Sequence, residues 1–112
     1  MRIINLNDCQ VKDTPHNVDV RLLYDRESVQ VNVVTLFPGE GLKPHITPTD
    51  VFFYILEGTP EIWVGNERSR VEKDTLVESP ANIIHTMYNF GDTVARIMVV
   101  KAPRPVEKTK VL

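Results

Sequence analysis

The 112-residue sequence contains a single cysteine, Cys9, so no disulfide can form within the chain. Its N-terminal segment carries acidic residues and has no long apolar core, which is unlike a secretory signal peptide. These two features predict a protein of the reducing cytoplasm. The longest uninterrupted apolar run, residues 51–56, is far shorter than the ~20 residues that a membrane-spanning helix needs. We therefore expect neither a disulfide-rich secreted protein nor a membrane protein.

Neither sign of charge dominates, since 13 lysines and arginines face 15 aspartates and glutamates. No run of basic residues provides the electrostatic surface that nucleic acids and anionic membranes require. The glycine-rich phosphate-binding patterns are also absent. Ser28, Ser69 and Ser79 are expected in loops or turns with no histidine near in sequence, so no nucleophile–base pair is predicted.

No window of the sequence shows a sustained 3.6-residue apolar period, whereas alternation with a period of two recurs along the chain. Residues 18–22, 29–37 and 50–56 are typical strands, and later strands are expected over 61–64, 83–89 and 93–100, with a strand pair interrupted by a bend over 70–77. Turn residues separate them, including the hairpin pair Gly65-Asn66. This pattern predicts one all-β domain over residues 1–112, with a core at about 18–102 and a tail at 103–112 that is ordered only where it packs. His16 is expected in a surface loop.

Two motifs resemble those of the cupin family. In the first, five residues separate Gly39 from His45, and a Phe-Tyr-Ile-Leu-Glu-Gly segment ends at Gly58. The second has the family's spacing in Asp74, Pro80, Asn82, His85 and Asn89. The resemblance runs from Gly39 to Asn89 and implies a double-stranded β-helix, or jelly-roll barrel, of about eight to ten strands.

Family members hold a divalent metal with two histidines and a glutamate from the first motif and one histidine from the second. His45 and His85 match the first and last of these ligands, but Thr47 and Val51 stand where the second histidine and the glutamate would be. Asp50 is the nearest carboxylate and a possible third ligand, although it is one residue out of register. The resemblance thus implies a weak or degenerate site for Zn, Fe, Mn or Ni.

Asp74 and Asn82 occupy the two glycine positions of the second motif. Asp and Asn are the residue types that best replace glycine where φ must be positive, because their short polar side chains can hydrogen-bond locally. We therefore expect the backbone geometry of the fold to be kept while the metal ligands are altered.

The two faces of the strand at 50–56 predict a pocket and an interface. Period-two alternation places Thr47, Val51 and Phe53 on the inner face with His45, and Met87 and His85 approach from the other sheet. An apolar pocket with two imidazoles is typical of a small-molecule site. The outer face carries Phe52, Tyr54 and Leu56, and such a patch predicts a two-fold homodimer.

Three functions remain open from the sequence. The chain could be a cupin that binds a small molecule, with or without a metal, or a metal-dependent cupin enzyme of the dioxygenase or isomerase type using His45 and His85. The third is a structural or regulatory dimer whose barrel holds no ligand. The altered ligands favour the first and third, and the sequence leaves open whether the chain is an enzyme.

Overall fold

The computed structural model describes residues 1–106 and 110–112. Strands dominate this part of the chain, and a short 3-10 helical turn lies at Leu6–Asp8. The strands described are β1 (Asp19–Asp25), β2 (Gln30–Leu36), β3 (His45–Ile46), β4 (Asp50–Glu57), β5 (Glu61–Val64), β6 (Glu67–Arg70), β7 (Leu76–Ser79), β8 (Ile84–Tyr88), β9 (Ala95–Ala102) and β10 (Lys110–Val111). The predicted all-β class is confirmed.

The strands form two five-stranded antiparallel sheets. The first has the order β1-β2-β9-β4-β7 and the second the order β10-β3-β8-β5-β6. The chain passes from one sheet to the other between β2 and β3 and again between β3 and β4, so that strands distant in sequence become neighbours. This is a double-stranded β-helix, as predicted.

The inner face of the first sheet is apolar because its strands alternate. In β4, Val51, Phe53 and Ile55 are at most 3% exposed, whereas Phe52 and Tyr54, which point the other way, are half-buried. Burying such side chains contributes about 1.5–3 kcal/mol each. The alternation therefore fixes which face of β4 meets the second sheet.

Positive φ angles occur at the two predicted positions of the second motif. Asp74 and Asn82 both have φ of 64°. Each turn is tied to the first motif, since Asp74 N–H donates to Ile55 O at 2.8 Å and Asn82 N–H donates to Thr47 O at 2.9 Å. The prediction that the fold's backbone geometry is kept is confirmed at these positions.

Asn89, the last residue of the second motif, is a structural side chain with 1% exposure. Its amide nitrogen donates to Leu36 O at 2.9 Å and to Thr93 O at 2.8 Å, and its oxygen accepts from Gly91 N–H. These bonds join the end of β2 to the turn that precedes β9. Because the group is buried, losing them would leave backbone carbonyls unpaired at a cost of about 1–3 kcal/mol.

The predicted strand at 93–100 begins and ends two residues later, as β9 (Ala95–Ala102). The bend expected within 70–77 is present, since residues 71–75 connect β6 to β7 through a turn at Lys73-Asp74, and the predicted hairpin at Gly65-Asn66 joins β5 to β6. The predicted tail adds β10 to the edge of the second sheet, where Val111 pairs with His45. Residues 107–109 of that tail lie outside the described residues.

The N-terminal segment packs along β1. Lys12 N–H donates to Val20 O at 2.8 Å, and the Arg21 guanidinium donates to the carbonyls of Leu6 and Cys9, both at 3.3 Å. This segment therefore forms part of the barrel wall. Within residues 1–106 and 110–112, no helix has the length and apolar character to cross a membrane.

Candidate functional site

A cavity of about 560 Å³ opens between the two sheets and the N-terminal segment. Apolar side chains form much of its wall, namely Val20, Val34, Leu42, Phe53 and Val99. The principal polar side chains that reach it are Lys12, His16, Asn32, His45, His85 and Lys101. Its size falls in the range of about 300–1,000 Å³ that is usual for small-molecule pockets.

His45 and His85 meet in this cavity because β3 and β8 are paired. The two residues lie directly opposite each other in the antiparallel register, and their ring centroids are 4.5 Å apart in an edge-to-face arrangement. The sequence prediction that these two histidines share one site agrees with this placement.

Both ring nitrogens of His85 are engaged by hydroxyl groups. Ser79 Oγ lies 2.7 Å from Nδ1, and Thr47 Oγ1 lies 3.3 Å from Nε2. All three side chains are at most 2% exposed. The prediction that Ser79 lies in a loop or turn is therefore wrong, because it belongs to β7 and lies beside His85 of β8, a contact that its sequence neighbours do not indicate. Because Ser79 is fully buried, we interpret its hydroxyl as a group that orients the His85 imidazole.

The backbone N–H and carbonyl of Lys43 form hydrogen bonds with the other two histidines. Its carbonyl accepts a hydrogen bond from His45 Nδ1 at 2.8 Å, and its N–H donates to His16 Nδ1 at 2.9 Å. A carbonyl can only accept and an amide N–H can only donate, so neutral His45 carries its proton on Nδ1 and neutral His16 on Nε2. His45 thus presents a lone pair at Nε2, whereas His16 presents an N–H donor.

His16 lies in a turn outside the strands, as expected, but not at the open surface. The side chain is half-buried, and its ring centroid is 4.8 Å from that of His45. It belongs to the N-terminal segment that closes the cavity, a long-range contact with no local sequence signal. The three imidazoles form a continuous row across the site.

Burial keeps these imidazoles neutral. Burial and then the charge of His45 lower the pKa of His85 from 6.5 to about 3, and the same two causes lower that of His16 to about 4. Burial also lowers the pKa of His45, although its hydrogen bond to Lys43 acts in the opposite direction. Each group is therefore uncharged at neutral pH.

The residues present do not fit the family's four-ligand metal site. Asp50 is exposed and lies on the outer face of β4, where its carboxylate accepts from Ala81 N–H at 2.9 Å. As a possible third ligand it is therefore wrongly placed. In the part of the chain that the structure describes, no group of three or more His, Cys, Asp or Glu side chains could hold a metal ion. Metal binding by His45 and His85 stays a prediction.

Only Phe53 of the four predicted pocket residues lines the cavity. Thr47, Val51 and Met87 do face inward, but each is at most 3% exposed and packed within the barrel interior. Alternation identifies an inner face correctly, yet it does not show where along that face space is left open. The observed cavity therefore lies closer to the N-terminal segment than the predicted pocket does.

Lys101 is a cavity residue that was not predicted from the sequence. This residue ends the inner-facing series Ile97, Val99, Lys101 of β9, and the period of two could have found it had the strand been extended past Val100. Burial and then the charge of Lys12 lower its pKa to about 8. Lys12 in turn donates to Asn32 Oδ1 at 3.4 Å. Two ammonium groups therefore reach the same cavity as the histidines.

The predicted interface residues Phe52, Tyr54 and Leu56 are half-buried on the outer face of β4. Phe52 pairs with Val100 of β9 and Tyr54 with Leu76 of β7, which extends the apolar surface. A homodimer through this face stays a prediction.

Comparisons with known proteins agree with the fold. The chain is 32% identical over 76 residues to the tetracenomycin polyketide synthase protein TcmJ of Streptomyces glaucescens, covering 64% of this chain and 51% of that protein. It thus spans about half the length of that relative. It is 28% identical to an uncharacterized protein of Methanocaldococcus jannaschii over 87 residues, covering 77% of this chain and 75% of that protein.

Solved structures superpose over nearly the whole chain. A protein of Thermus thermophilus matches with a TM-score of 0.80 and 27% identity, covering 94% of this chain and 100% of that one. The polyketide cyclase RemF of Streptomyces resistomycificus matches with a TM-score of 0.84 and 15% identity, covering 100% of this chain and 85% of that one, which shows a shared fold. A family model described as a cupin domain matches residues 32–101. With more than half of its length matched in this way, the chain belongs to the cupin family.

Proposed function

We propose that this cupin binds a small, largely apolar organic molecule in the cavity between its sheets. The observation that carries the proposal is the cavity itself, with a volume of about 560 Å³ and an apolar wall. A few convergent polar groups on an apolar wall are the usual composition of a ligand site. In this site, Phe53 and Val99 would contact the body of the ligand.

His45 would orient the ligand. Its Nδ1 proton is held by Lys43 O, so Nε2 can accept a hydrogen bond from a ligand hydroxyl. Burial keeps the ring neutral, which preserves this acceptor at neutral pH. His85 would pack against His45 without bonding the ligand, since Ser79 and Thr47 already engage both of its nitrogens.

The two polyketide-related proteins among the relatives suggest the type of molecule to test first. TcmJ carries a polyketide synthase description and RemF a polyketide cyclase description. Polyketides are carbon skeletons that carry hydroxyl and carbonyl groups, and such groups suit one imidazole acceptor on an apolar wall. A fused aromatic alcohol is therefore a suitable probe.

The experiment is a titration with 2-naphthol followed by amide chemical shifts. We expect saturable shifts in β2, β4 and β9 around the cavity. Val99→Phe fills the cavity and should weaken binding at least about tenfold, equivalent to ~1.4 kcal/mol. Met98→Phe is the matched control, because Met98 is the adjacent residue of β9 and lies on the opposite, half-buried face. Equal binding by both variants would refute the cavity as the site.

A metal-dependent enzyme is the weaker alternative. The adjacent imidazoles of His45 and His85 favour it, but a zinc or iron site generally needs three or four ligands. Metal analysis of protein purified without a histidine tag would test it. Stoichiometric metal in the native chain that is lost in His45→Ala would establish the metal site that this alternative requires, and metal-free native protein would count against it.

A further inference from the structure

The inner face of β9 carries a lysine near the C-terminal end of the strand. β9 is the central strand of the first sheet, and Lys101 lies between Gln30 of β2 and Val51 of β4. Its side chain reaches the cavity beside Val99. A lysine is seldom placed on the inner face of a central strand without a partner, because burying a charge is costly.

Within residues 1–106 and 110–112, the ammonium group of Lys101 has no such partner. Across residues 1–106 and 110–112, the ion pairs are Arg21 with Asp19 and Arg104 with Asp25, and Lys101 takes part in none of the hydrogen bonds described. The second cavity lysine, Lys12, is hydrogen-bonded to the neutral amide oxygen of Asn32. Neither cavity lysine forms an ion pair with a carboxylate of the part of the chain that the structure describes.

The cavity is therefore locally positive within a chain of net charge -2. The three imidazoles are neutral at neutral pH because their pKa values are lowered, and the charge of Lys101 contributes to that lowering in all three. Among the described residues, Asp13 is the one acidic side chain at the cavity wall, and it is exposed. A positive potential at the imidazoles disfavours a bound cation and favours a bound anion.

The polar atoms of the site are mostly hydrogen-bond donors. Lys101 offers three N–H bonds, and His16 offers its Nε2 proton since its Nδ1 accepts from Lys43 N–H. Asn32 can donate through its amide nitrogen, because its oxygen accepts from Lys12. A ligand that suits this lining has an apolar body and an anionic, acceptor-rich end.

We propose that the cavity selects a monocarboxylate with an apolar body, and that Lys101 is the residue that binds its carboxylate, with Lys12 reinforcing the charge. This inference rests on the proposed small-molecule function and names its ligand class. The ammonium form of Lys101 predominates at pH 7, since its pKa is about 8. Charge-assisted hydrogen bonds of this kind are about twice as strong as neutral ones.

The test compares 2-naphthoate with 2-naphthamide, which has nearly the same shape and no charge, by calorimetric titration at pH 7. We expect the native chain to prefer the acid by roughly ten- to a hundredfold, the range that a hydrogen bond to a charged group gives. Lys101→Met should abolish this preference while leaving 2-naphthamide affinity within about threefold, and Lys101→Arg should retain it. Lys73→Met, which removes an exposed lysine in a turn, should change neither affinity.

The possible outcomes distinguish the carboxylate preference from the small-molecule function on which it rests. If the native chain binds both compounds equally, the carboxylate preference is refuted and the cavity function stands. If Lys101→Met keeps the preference, Lys101 is refuted as the carboxylate partner. If neither compound binds, the small-molecule function fails and this inference fails with it. Retained amide binding by Lys101→Met also shows that the variant is folded.

Discussion

His85 should make the stability of this protein depend strongly on pH. Its imidazole is 2% exposed and hydrogen-bonded to two hydroxyls, and burial lowers its pKa from 6.5 to about 3. In the unfolded chain the same group has its ordinary pKa. The unfolded state therefore binds more protons between these two values, and acid favours unfolding.

The sign and size of the effect follow from the two pKa values. The stabilisation from neutral His85 is fully present above pH 6.5 and decreases as the pH falls from there toward about 3. Integrating the proton difference from pH 7 to pH 5 gives a loss of about 2 kcal/mol from this one residue. Most carboxyl groups titrate below this interval, so histidines dominate it. His16 and His45 add losses of the same sign.

The measurement is the free energy of unfolding in urea at pH 7 and pH 5. In His85→Asn the loss between the two pH values should shrink by about 2 kcal/mol relative to the native chain. Ser79→Ala is the matched control, because it removes the 2.7 Å hydrogen bond to Nδ1 and keeps the titrating group. It should lower stability at both pH values and preserve most of the pH dependence. An undiminished loss in His85→Asn would refute the argument that His85 is buried in its neutral form.

Two further predictions concern the outer face and metal binding. Tyr54→Lys places a charge on the apolar outer face of β4, so the native chain should elute as a dimer in size-exclusion chromatography with light scattering and the variant as a monomer; identical masses would contradict the interface. Excess Zn²⁺ should raise the melting temperature of the native chain no more than it raises that of His45→Ala, because the described residues supply no third ligand. A larger rise in the native chain would indicate a real metal site.

The fold could be predicted because its signals are local. Alternation along residues 50–56 fixed the buried face of β4, and the positive φ angles of Asp74 and Asn82 follow from residue type and motif spacing. The pairing of His45 with His85 was accessible through the resemblance to the cupin motifs. These features require only short stretches of sequence and one known scaffold.

The position and charge of the cavity could not be predicted in the same way. They depend on contacts between distant segments, such as His16 against His45 and Ser79 against His85. Thr47, Val51 and Met87 were placed on the correct face, but how tightly each is packed depends on the opposite sheet. Lys101 was missed because the predicted strand ended at Val100, one residue before it, so its side chain was assigned to neither face.

The most direct test of the account is a crystal structure of the protein soaked with 2-naphthoate. We expect the naphthalene rings to lie against Phe53 and Val99, with the carboxylate within hydrogen-bond distance of Lys101 Nζ. Ligand density on the outer face of β4, or an empty cavity at a concentration where calorimetry shows saturation, would contradict it.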